Sequence, residues 1–513
     1  MAAPRHDVDF RLADLLAGVP VAAAAPAAWA EVRVRGLALD SRGIAAGDLF
    51  LALPGIRQDG RDFMVAAAGA GAVAVLAEAA GLSAYAAALA SLRIPVIPVA
   101  GLAAQVSAIA GRFYGDPGAA LTITGVTGTN GKTTCTQLLA QLFAVLEAPA
   151  GVIGTLGAGV LDDPAALAET GLTTPDAIAM QRLLADFRDR GVRRVAIEVS
   201  SHSLDQQRVA AVPVHVAIFT NLSRDHLDYH GDMAAYRAAK AQLFRQPGLA
   251  SAVINLDDPA GAELLGALPD GGVGHGYSAR GATAAIRAID AEFSAAGVRA
   301  RVATPWGEGA LVSGLPGRFN LANLLAVIGA ACAQGFALAA VLAAVPQLRA
   351  APGRMQSVGG AAGPRVVVDY AHTPDALEQV LAALRESVAG GRLWCVFGCG
   401  GERDRGKRPR MGAIAVAGAD RVVVTSDNPR GEAPDAIIAE ILSGVAANQR
   451  DRLLVIPERR AAIARAIADA SPADIVLLAG KGHETWQEIA GVRWPCDDAA
   501  EARRALAAWE GRS

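Results

Sequence analysis

The sequence predicts a three-domain α/β protein with a small N-terminal α/β domain, a central doubly wound sheet and a C-terminal Rossmann-like domain. A chain of 513 residues is long enough for about three domains. Short apolar strands alternate with helical patterns through most of the chain, which favours mostly parallel sheets. Two segments containing Pro and Gly, at 113–120 and 348–358, interrupt this alternation. We therefore expect domains at residues 1–112, 113–350 and 351–513.

The first 112 residues contain four strand-like stretches that Pro and Gly separate: VRVRGLALDSR, GDLFLALPG, AVAVLAE and IPVIPV. Each stretch is short, which indicates a small α/β domain.

The central region begins with the apolar strand LTITGV, followed by a Gly-rich turn and the helical pattern TTCTQLLAQLFAVL. Further strands are predicted at 194–200, 216–222 and 252–258, with helical patterns between them. This alternation is typical of a doubly wound sheet. The C-terminal region repeats it, with strands predicted at 365–372, 393–401, 421–429, 453–458 and 474–482.

Composition excludes several classes of protein. The net charge is −3 with no basic block, whereas nucleic-acid binding requires a concentrated positive surface. The N-terminus shows no signal-peptide pattern. The apolar stretch 322–345 is long enough to span a bilayer but includes Asn323, Gln334 and Gly335, which favours two buried helices broken near Gly335. The odd number of cysteines, without CxxC spacing, predicts reduced thiols, namely Cys135, Cys332, Cys395, Cys399 and Cys496.

Lysine is rare in this sequence. Only four of the 47 basic residues are Lys, namely Lys132, Lys240, Lys407 and Lys481. Arg remains protonated and planar, whereas Lys is a compact amine that can deprotonate and react. Each Lys that persists against this bias is therefore a candidate for a role that Arg cannot fill.

A phosphate-binding loop is predicted at 125–134, GVTGTNGKTT, between a strand and a helix. Glycines allow backbone N–H groups to approach phosphate oxygens, and the helix N-terminus favours an anion. Lys132 is placed to reach the β- and γ-phosphates, and the Thr133 hydroxyl to hold Mg²⁺. The loop is not a strict Walker A sequence because Val126 occupies its first Gly position. It predicts a P-loop ATPase-like central domain, and the ATP-binding residues are Gly128, Thr129, Asn130, Gly131, Lys132, Thr133 and Thr134.

The segment GTNGKTT resembles the phosphate loop of the Mur ligase and folylpolyglutamate synthase superfamily, and segments across nearly the whole chain resemble the diaminopimelate-adding Mur ligases. The resemblance implies a cytoplasmic, monomeric, ATP-dependent ligase of peptidoglycan synthesis and cell wall biogenesis. Its substrates would be meso-2,6-diaminopimelate and UDP-N-acetylmuramoyl-L-Ala-D-Glu, joined through an acyl phosphate on the D-Glu. Residues 1–112 would then bind the UDP-sugar, 113–350 ATP, and 351–513 the amino acid.

The resemblance implies a catalytic and metal centre formed by Lys132, Glu198, His226 and Lys240. Glu198 lies at the end of one predicted strand and His226 shortly after the next, and such groups can hold Mg²⁺, with Thr133 as a further ligand. The family's Lys at the position of Lys240 is carbamylated by CO₂. Only an uncharged primary amine forms a carbamate, whose carboxylate-like group can bind a metal, so Arg could not replace it.

Other segments match family positions that bind the organic substrates. Hydroxyl groups and Arg suit an anionic substrate that bears carboxylates. Asn320 in GRFNLANLLA matches a residue near the adenine, and His372 matches a residue that approaches the nucleotide on closure. The positions implied for the nucleotide-sugar peptide are Leu39, Ser41, Arg57, Gln58, Thr173, Thr174, Ser200, Gln206 and Arg208.

The amine substrate is indicated by the segment DNPR, Asp427–Arg430. Diaminopimelate carries a distal ammonium and a distal carboxylate, so its pocket requires both acceptors and a cation. In the family this motif is typical of diaminopimelate-adding members, and lysine-adding relatives usually lack the Arg. The positions implied for diaminopimelate are Arg403, Asp427, Asn428, Pro429, Arg430, Gly480 and Glu484.

Three alternatives remain open. The chain could be a lysine-adding or other superfamily ligase, although DNPR argues against this. A P-loop ATPase acting as a motor or transport subunit would need a basic or apolar partner surface, which the sequence does not show. An inactive binding protein would not need the intact set of Lys132, Glu198, His226 and Lys240.

Overall fold

The computed structural model describes residues 9–22, 29–55, 58–161, 167–269, 271–281, 283–294, 297–359, 363–388 and 390–510. They fall into two compact units, one comprising Met1–Gly125, Pro149–His215 and Gln246–Leu249, the other Val126–Ala148, Val216–Arg245 and Ala250–Ser513. The domain boundaries predicted at residues 112 and 350 stay a proposal.

The N-terminal part of the chain contains strands β1 (Phe10–Arg11), β2 (Arg33–Val34), β3 (Gly36–Ala38), β4 (Asp48–Ala52), β5 (Ala74–Glu78) and β6 (Val96–Val99), with helices α1 (Leu12–Leu15), α2 (Met64–Gly69), α3 (Ala86–Ser91) and α4 (Leu102–Phe113). The middle part contains strands β7 (Thr122–Thr127), β8 (Ala150–Gly154), β9 (Gly157–Val160), β10 (Arg194–Glu198), β11 (Val214–Phe219), β12 (Ser251–Asn255), β13 (Val273–Ser278), β14 (Ile286–Ser294), β15 (Gly297–Thr304) and β16 (Gly307–Ser313).

The helices of the middle part are α5 (Lys132–Glu147), α6 (Ala177–Asp189), α7 (Ser201–Asp205), α8 (Leu227–His230), α9 (Met233–Ala241), α10 (Pro259–Gly266), α11 (Arg318–Ala333) and α12 (Leu338–Ala344). The C-terminal part contains β17 (Gln356–Val358), β18 (Arg365–Asp369), β19 (Leu393–Phe397), β20 (Arg421–Val424), β21 (Leu453–Val455), β22 (Ile475–Ala479), β23 (Trp486–Ile489) and β24 (Val492–Pro495), with helices α13 (Pro374–Arg385), α14 (Lys407–Gly418), α15 (Pro434–Leu442), α16 (Arg459–Asp469) and α17 (Asp498–Glu510).

In the first unit, a four-stranded parallel sheet has the order β3-β4-β5-β6. Successive residues of β4 face two different cores: Leu49 and Leu51 belong to one, Phe50 and Ala52 to the other. Both faces are therefore covered, which is why this strand is apolar from Leu49 to Ala52, after the buried Asp48 with which it begins. The same unit pairs β8 in parallel with β10 and antiparallel with β9.

In the second unit, strands β11 to β14 pair in parallel in chain order, and β14, β15 and β16 continue antiparallel. Helix α11 packs against β12, β13 and β14, and α12 follows it after Gly335, whose φ is +93°. The two buried helices predicted for 322–345 are thus confirmed. No helix in the described part of the chain combines the length and hydropathy of a bilayer span.

The C-terminal sheet of the second unit has the order β17-β18-β22-β19-β20-β21, parallel except for β17. Alternate residues enter different cores: Cys395 and Phe397 pack on one face of the sheet, Trp394 and Val396 on the other. This doubly covered parallel sheet is the predicted Rossmann-like architecture. Such sheets bind ligands at the carboxyl ends of their strands. All five cysteines are buried, and none forms a disulfide.

Candidate active site

The phosphate loop connects β7, which ends at Thr127, to α5, which begins at Lys132. A Cβ on Gly128 would lie 1.9 Å from Thr220 Oγ1, and one on Gly131 would lie 2.8 Å from Asn323 Oδ1. Both glycines have positive φ, +147° and +85°. Any side chain at either position would collide with the wall of the loop, so the glycines are required by close approach as well as by conformation.

Residues after strand β11 hold the loop in shape. Thr129 N donates to Asn221 O, and Asn130 N donates to Asn221 Oδ1, both over 2.9 Å. Thr220 Oγ1 donates to Asn130 O over 2.6 Å. The backbone of the loop is therefore fixed before any ligand arrives.

Lys132 bends back over the loop that precedes it. Its Nζ donates to Gly128 O over 2.9 Å and to Thr129 O over 2.8 Å. The ammonium and the N-terminus of α5 together create a positive field at the loop, which suits a phosphate anion. The next residue, Thr133, accepts a hydrogen bond from Arg354 Nη2 over 3.1 Å.

Lys240, on α9, is almost fully buried behind the same loop. Its Nζ donates to Gly128 O over 2.7 Å and lies 4.4 Å from the centre of the Tyr236 ring. Burial, together with the charge of Lys132, holds the pKa of Lys240 well below its usual range. The neutral form of this amine is therefore more populated than that of an exposed Lys.

His226 immediately precedes helix α8 and has a left-handed backbone, φ +54°. Its Nε2 lies 3.4 Å from Asp225 Oδ2. Burial lowers the pKa of His226 to about 4; the Asp225 carboxylate opposes this shift, and the charges of Lys132 and Lys240 reinforce it. The imidazole is thus neutral at pH 7, which is the protonation state that a metal-ligating histidine requires.

Glu198, at the end of β10 in the first unit, is buried and held by Thr155, whose backbone N donates to Oε1 over 2.9 Å and whose Oγ1 donates to Oε2 over 3.0 Å. Gly154 permits this arrangement, because a Cβ there would lie 2.3 Å from Glu198 Oε1. The carboxylate orientation is consequently fixed.

Several residues predicted to bind the nucleotide-sugar peptide lie around the end of the same strand. Thr155 Oγ1 and Thr173 Oγ1 lie 3.1 Å apart, within hydrogen-bond distance, and Thr174 Oγ1 donates to Glu198 O over 2.7 Å. Arg208 Nη1 donates to Thr174 O over 2.9 Å. The structure thus brings together five of the predicted residues: Thr173, Thr174, Ser200, Gln206 and Arg208.

The four predicted residues of the N-terminal part differ in their placement. Leu39 packs partly against a core of the first unit, and Ser41 begins a short 3₁₀ turn. Gln58 is exposed, and its carbonyl accepts a hydrogen bond from Gly55 N over 3.0 Å. Arg57 lies outside the described residues.

A cavity of about 420 Å³ lies beside the phosphate loop in the second unit. Its wall includes residues that sequence reasoning did not single out: Arg280, Arg318, Asn323, Arg354 and Asp375. Asn320, predicted to lie near the adenine, is buried, and its side-chain amide donates to Pro316 O over 2.8 Å. Asn323, one helical turn further along α11, lines the cavity, and the role of Asn320 stays a prediction.

His372 follows β18, and Asp369, the last residue of that strand, lines the cavity. The His372 Nδ1 lies 2.9 Å from Tyr370 O, and Lys407 Nζ donates to His372 O over 2.8 Å. Burial lowers the pKa of His372 to about 4, an effect that the charge of Lys407 reinforces. Burial raises the pKa of Asp369 to about 6.

The residues predicted to bind the amine substrate gather at the carboxyl ends of β19, β20 and β22. Asn428 Nδ2 donates to Glu484 Oε2 over 2.8 Å, and Arg430 Nη1 donates to Gly401 O over 2.8 Å. A Cβ on Gly480 would lie 2.5 Å from Asp427 Oδ2, which explains the glycine there. Arg403 is exposed in the loop after β19. Carboxylates, an amide and guanidinium groups therefore face one edge of the sheet, as a zwitterionic ligand would require.

Three family models match separate parts of the chain. The model described as Mur ligase middle domain matches residues 126–331, Mur ligase, glutamate ligase domain matches 353–482, and Mur ligase family, catalytic domain matches 33–114. With the parallel sheets, these matches confirm the predicted three-domain α/β class.

Individual relatives are similar over nearly the whole chain. The UDP-N-acetylmuramoyl-L-alanyl-D-glutamate–2,6-diaminopimelate ligase of Pseudomonas aeruginosa is 54% identical over 485 residues, which cover 94% of this chain and 97% of the relative. A solved structure of a ligase with the same name is 37% identical with a TM-score of 0.68, and the match covers 98% of this chain and 99% of that one. A MurF ligase from Thermotoga maritima in complex with ADP is 19% identical and shares the fold, with a TM-score of 0.62 over 93% of this chain and 97% of that one.

Proposed function

The chain belongs to the Mur ligase family, and from that premise we propose that it is the ATP-dependent ligase that joins meso-2,6-diaminopimelate to the D-Glu of UDP-N-acetylmuramoyl-L-Ala-D-Glu in peptidoglycan synthesis. The observation that carries the proposal is the near-full-length similarity to the Pseudomonas aeruginosa enzyme of that name. The enzyme would act as a monomer in the cytoplasm.

ATP would bind at the phosphate loop and in the adjoining cavity. The N-terminus of α5 and Lys132 supply positive charge for the β- and γ-phosphates. The cavity beside the loop, with Arg280, Arg318 and Asn323 on its wall, offers polar partners for the rest of the nucleotide. A bound ADP in the Thermotoga maritima relative supports a nucleotide site in this fold.

Magnesium fits the donor groups at the loop. Among the described residues, no three His, Cys, Asp or Glu side chains form a ready metal cage. Magnesium bound with phosphates needs no cage, since phosphate oxygens and waters supply most of its ligands. The neutral imidazole of His226, the Thr133 hydroxyl and the fixed carboxylate of Glu198 are the proposed protein ligands, with Lys240 as a carbamate. Bound Mg²⁺ neutralises charge on the transferred phosphoryl group.

Lys240 fits the chemistry of carbamylation. Its buried amine has a lowered pKa, and a neutral amine can attack CO₂ through nitrogen with loss of one proton. The product is an anion, and Lys132, whose charge already acts on Lys240, would offset it. The hydrogen bond from Lys240 Nζ to Gly128 O leaves the new group at the base of the phosphate loop.

The proposed reaction has three steps. The γ-carboxylate of the substrate's D-Glu attacks the γ-phosphorus of ATP, giving an acyl phosphate and ADP. The neutral amine of diaminopimelate then attacks the acyl carbon, and the tetrahedral intermediate expels phosphate and loses a proton to leave an amide. The chain's contribution is positioning and charge neutralisation: Thr173, Thr174 and Arg208 hold the peptide, and Lys132 offsets the developing charge.

The amine site after β20 and β22 would select diaminopimelate. Arg430 and Arg403 are the proposed cations for the distal carboxylate, and Glu484 is the proposed acceptor for the distal ammonium. Asn428, bonded to Glu484, would orient that acceptor. A lysine-adding ligase would have no use for the additional cation at Arg430.

Phosphate release tests the proposed class of reaction. The purified chain is incubated with Mg-ATP and UDP-N-acetylmuramoyl-L-Ala-D-Glu, with or without meso-diaminopimelate. We expect release that depends on both the nucleotide-sugar peptide and the amine, and that is lost in Lys132→Met. Release that is independent of either substrate would indicate an ATPase of another kind.

A further inference from the structure

Lys481 is fully buried in the turn after β22, within the proposed amine site. Its Nζ donates to Asn428 Oδ1 over 3.3 Å, to Glu484 Oε2 over 3.1 Å and to the backbone carbonyl of Trp486. An ammonium has three N–H donors, and here each has its own acceptor. The side chain is thus fully engaged inside the protein, with no donor left for a substrate.

The contacts of Lys481 determine which carboxylate oxygen of Glu484 already accepts hydrogen bonds within the protein. Asn428 Nδ2 donates to the same oxygen, Glu484 Oε2, over 2.8 Å, so Oε2 has two donors. The other oxygen, Oε1, accepts the Tyr370 hydroxyl over 3.4 Å, which is long for an O–H···O hydrogen bond. Oε1 is consequently the better acceptor for an incoming ammonium. Lys481 and Asn428 together hold Oε2 and so leave Oε1 as the oxygen with the weaker partner.

Lys481 also links the two loops that carry the predicted residues. Asn428 Oδ1 accepts from Lys481 and from Glu488 N, the latter over 3.0 Å. Arg430 N in turn donates to Glu488 O over 3.0 Å. A displacement of Lys481 would therefore pass to Glu484 directly and to Arg430 through the backbone of Glu488.

We infer that Lys481 is a positioning and specificity-determining residue of the amine site, which acts by pairing with Glu484. The inference rests on the proposed function. Because Lys481 already balances the charge of Glu484, a ligand end that carries only an ammonium finds no excess negative charge at this pair. An end that carries an ammonium and a carboxylate binds through Glu484 Oε1 and Arg430 together. Lys481 thereby favours diaminopimelate over L-lysine.

The pocket also explains why this residue is Lys in an Arg-rich chain. A guanidinium is planar and has five N–H donors, whereas the space around Nζ offers three converging acceptors and no exposure to solvent. The ring of Trp486, 5.7 Å from Nζ, closes another side. Lys481→Arg is thus not conservative here.

A double-mutant cycle with Glu484 tests the inference. The kinetic constants of Lys481→Met, Glu484→Gln and the double variant are measured with meso-diaminopimelate, L-lysine and ATP. We expect Lys481→Met to raise KM for diaminopimelate about tenfold, as for the loss of one charge-assisted hydrogen bond, while KM for ATP changes less than about twofold. The ratio of kcat/KM for lysine to that for diaminopimelate should rise. In the Glu484→Gln background, the same substitution should change KM less than about twofold.

Independent effects of the two substitutions, or equal losses for ATP and for the amine, would overturn the inference. Lys481→Gln keeps a donor towards Glu484 and should recover part of the affinity that Lys481→Met loses. Unfolding of both Lys481 variants would assign the residue a purely structural role and also overturn it. Arg504→Met, which removes an exposed cation on α17, is the control that should change no kinetic constant. A wild-type chain without diaminopimelate-dependent product would contradict the proposed function instead, since the inference concerns only the variants of an active enzyme.

Discussion

The side-chain amide of Asn130 donates to Asp375 Oδ2 over 3.0 Å. Asn130 belongs to the phosphate loop, and Asp375 lies in the first turn of α13, in the C-terminal part of the chain. Both line the cavity beside the loop. Burial raises the pKa of Asp375, and the bond from Asn130 opposes this shift. The phosphate loop is thus tied directly to the C-terminal part at the proposed nucleotide site.

Loss of the hydrogen bond between Asn130 and Asp375 should slow the reaction. We expect Asp375→Ala to lower kcat/KM for ATP about tenfold, because a hydrogen bond to a charged group contributes about 1.5–3 kcal/mol and here it orders the loop and α13 together. Asp375→Asn keeps an acceptor oxygen and should retain most of the activity. Steady-state kinetics at saturating amine measure both variants; equal losses would show that the acceptor is not what matters.

Carbamylation of Lys240 should be detectable in the wild-type chain. With ¹³C-labelled bicarbonate, NMR should reveal a carbamate carbon that is absent from Lys240→Arg, since a guanidinium cannot form one. Activity of Lys240→Arg should fall at least about a hundredfold, in the range for loss of one group that stabilises transition-state charge. A fully active Lys240→Arg variant would contradict the proposal that a carbamate at this position is needed for the reaction.

Arg430 should govern affinity for diaminopimelate and not for the nucleotide. Arg430→Met should raise KM for diaminopimelate about 10–100-fold, as expected for loss of about 1.5–3 kcal/mol of charge-assisted hydrogen bonding. Arg430→Lys keeps the positive charge but not the planar guanidinium, so its KM for diaminopimelate should lie between those of the wild type and Arg430→Met. KM for ATP is the internal control, and a parallel rise would mean that the substitution disturbs the whole domain.

His372 should make stability depend on pH in the acid range. Its pKa is about 4 in the folded chain, below the value of about 6.5 in unfolded peptides, so the unfolded chain takes up the proton first. The contribution of His372 to the free energy of unfolding is therefore complete above pH 6.5 and is lost as pH falls towards 4. A pKa depression of about 2.5 corresponds to about 3 kcal/mol, so we expect His372→Gln to remove up to about 3 kcal/mol of this acid-induced loss. Urea unfolding of the variant and of the wild type at several pH values gives the free energy of unfolding as a function of pH. The same dependence on pH in both chains would show that His372 does not contribute.

Sequence patterns predicted the strands and the phosphate loop because local physics determines both. Doubly covered parallel strands are apolar at nearly every position, as β19 and residues 49–52 of β4 show. A strand followed by GTNGKTT leaves few alternatives to a phosphate loop. Gly335 marked the break between α11 and α12 for the same reason, since its φ of +93° favours Gly.

Long-range contacts were beyond such patterns. In the sequence, Asp375 has the pattern of an ordinary acidic residue in the first turn of a helix. Its contact with Asn130 forms only in the folded chain. Asn320 and Asn323 both lie on α11 within one turn, so the sequence does not distinguish the one that lines the cavity. For Lys481 the sequence predicted a special role, because Lys is rare in this chain. It did not predict the partners Asn428 and Glu484, which meet Lys481 only at the edge of the folded sheet.

The most direct test of the central claim is a competition for the amine site. The chain is given ATP, Mg²⁺ and UDP-N-acetylmuramoyl-L-Ala-D-Glu with equal concentrations of meso-diaminopimelate and L-lysine, and the products are identified by mass spectrometry. We expect a tripeptide product that contains diaminopimelate almost exclusively. A product that contains mainly lysine would contradict it, because Arg430 and Glu484 would then not select the amine.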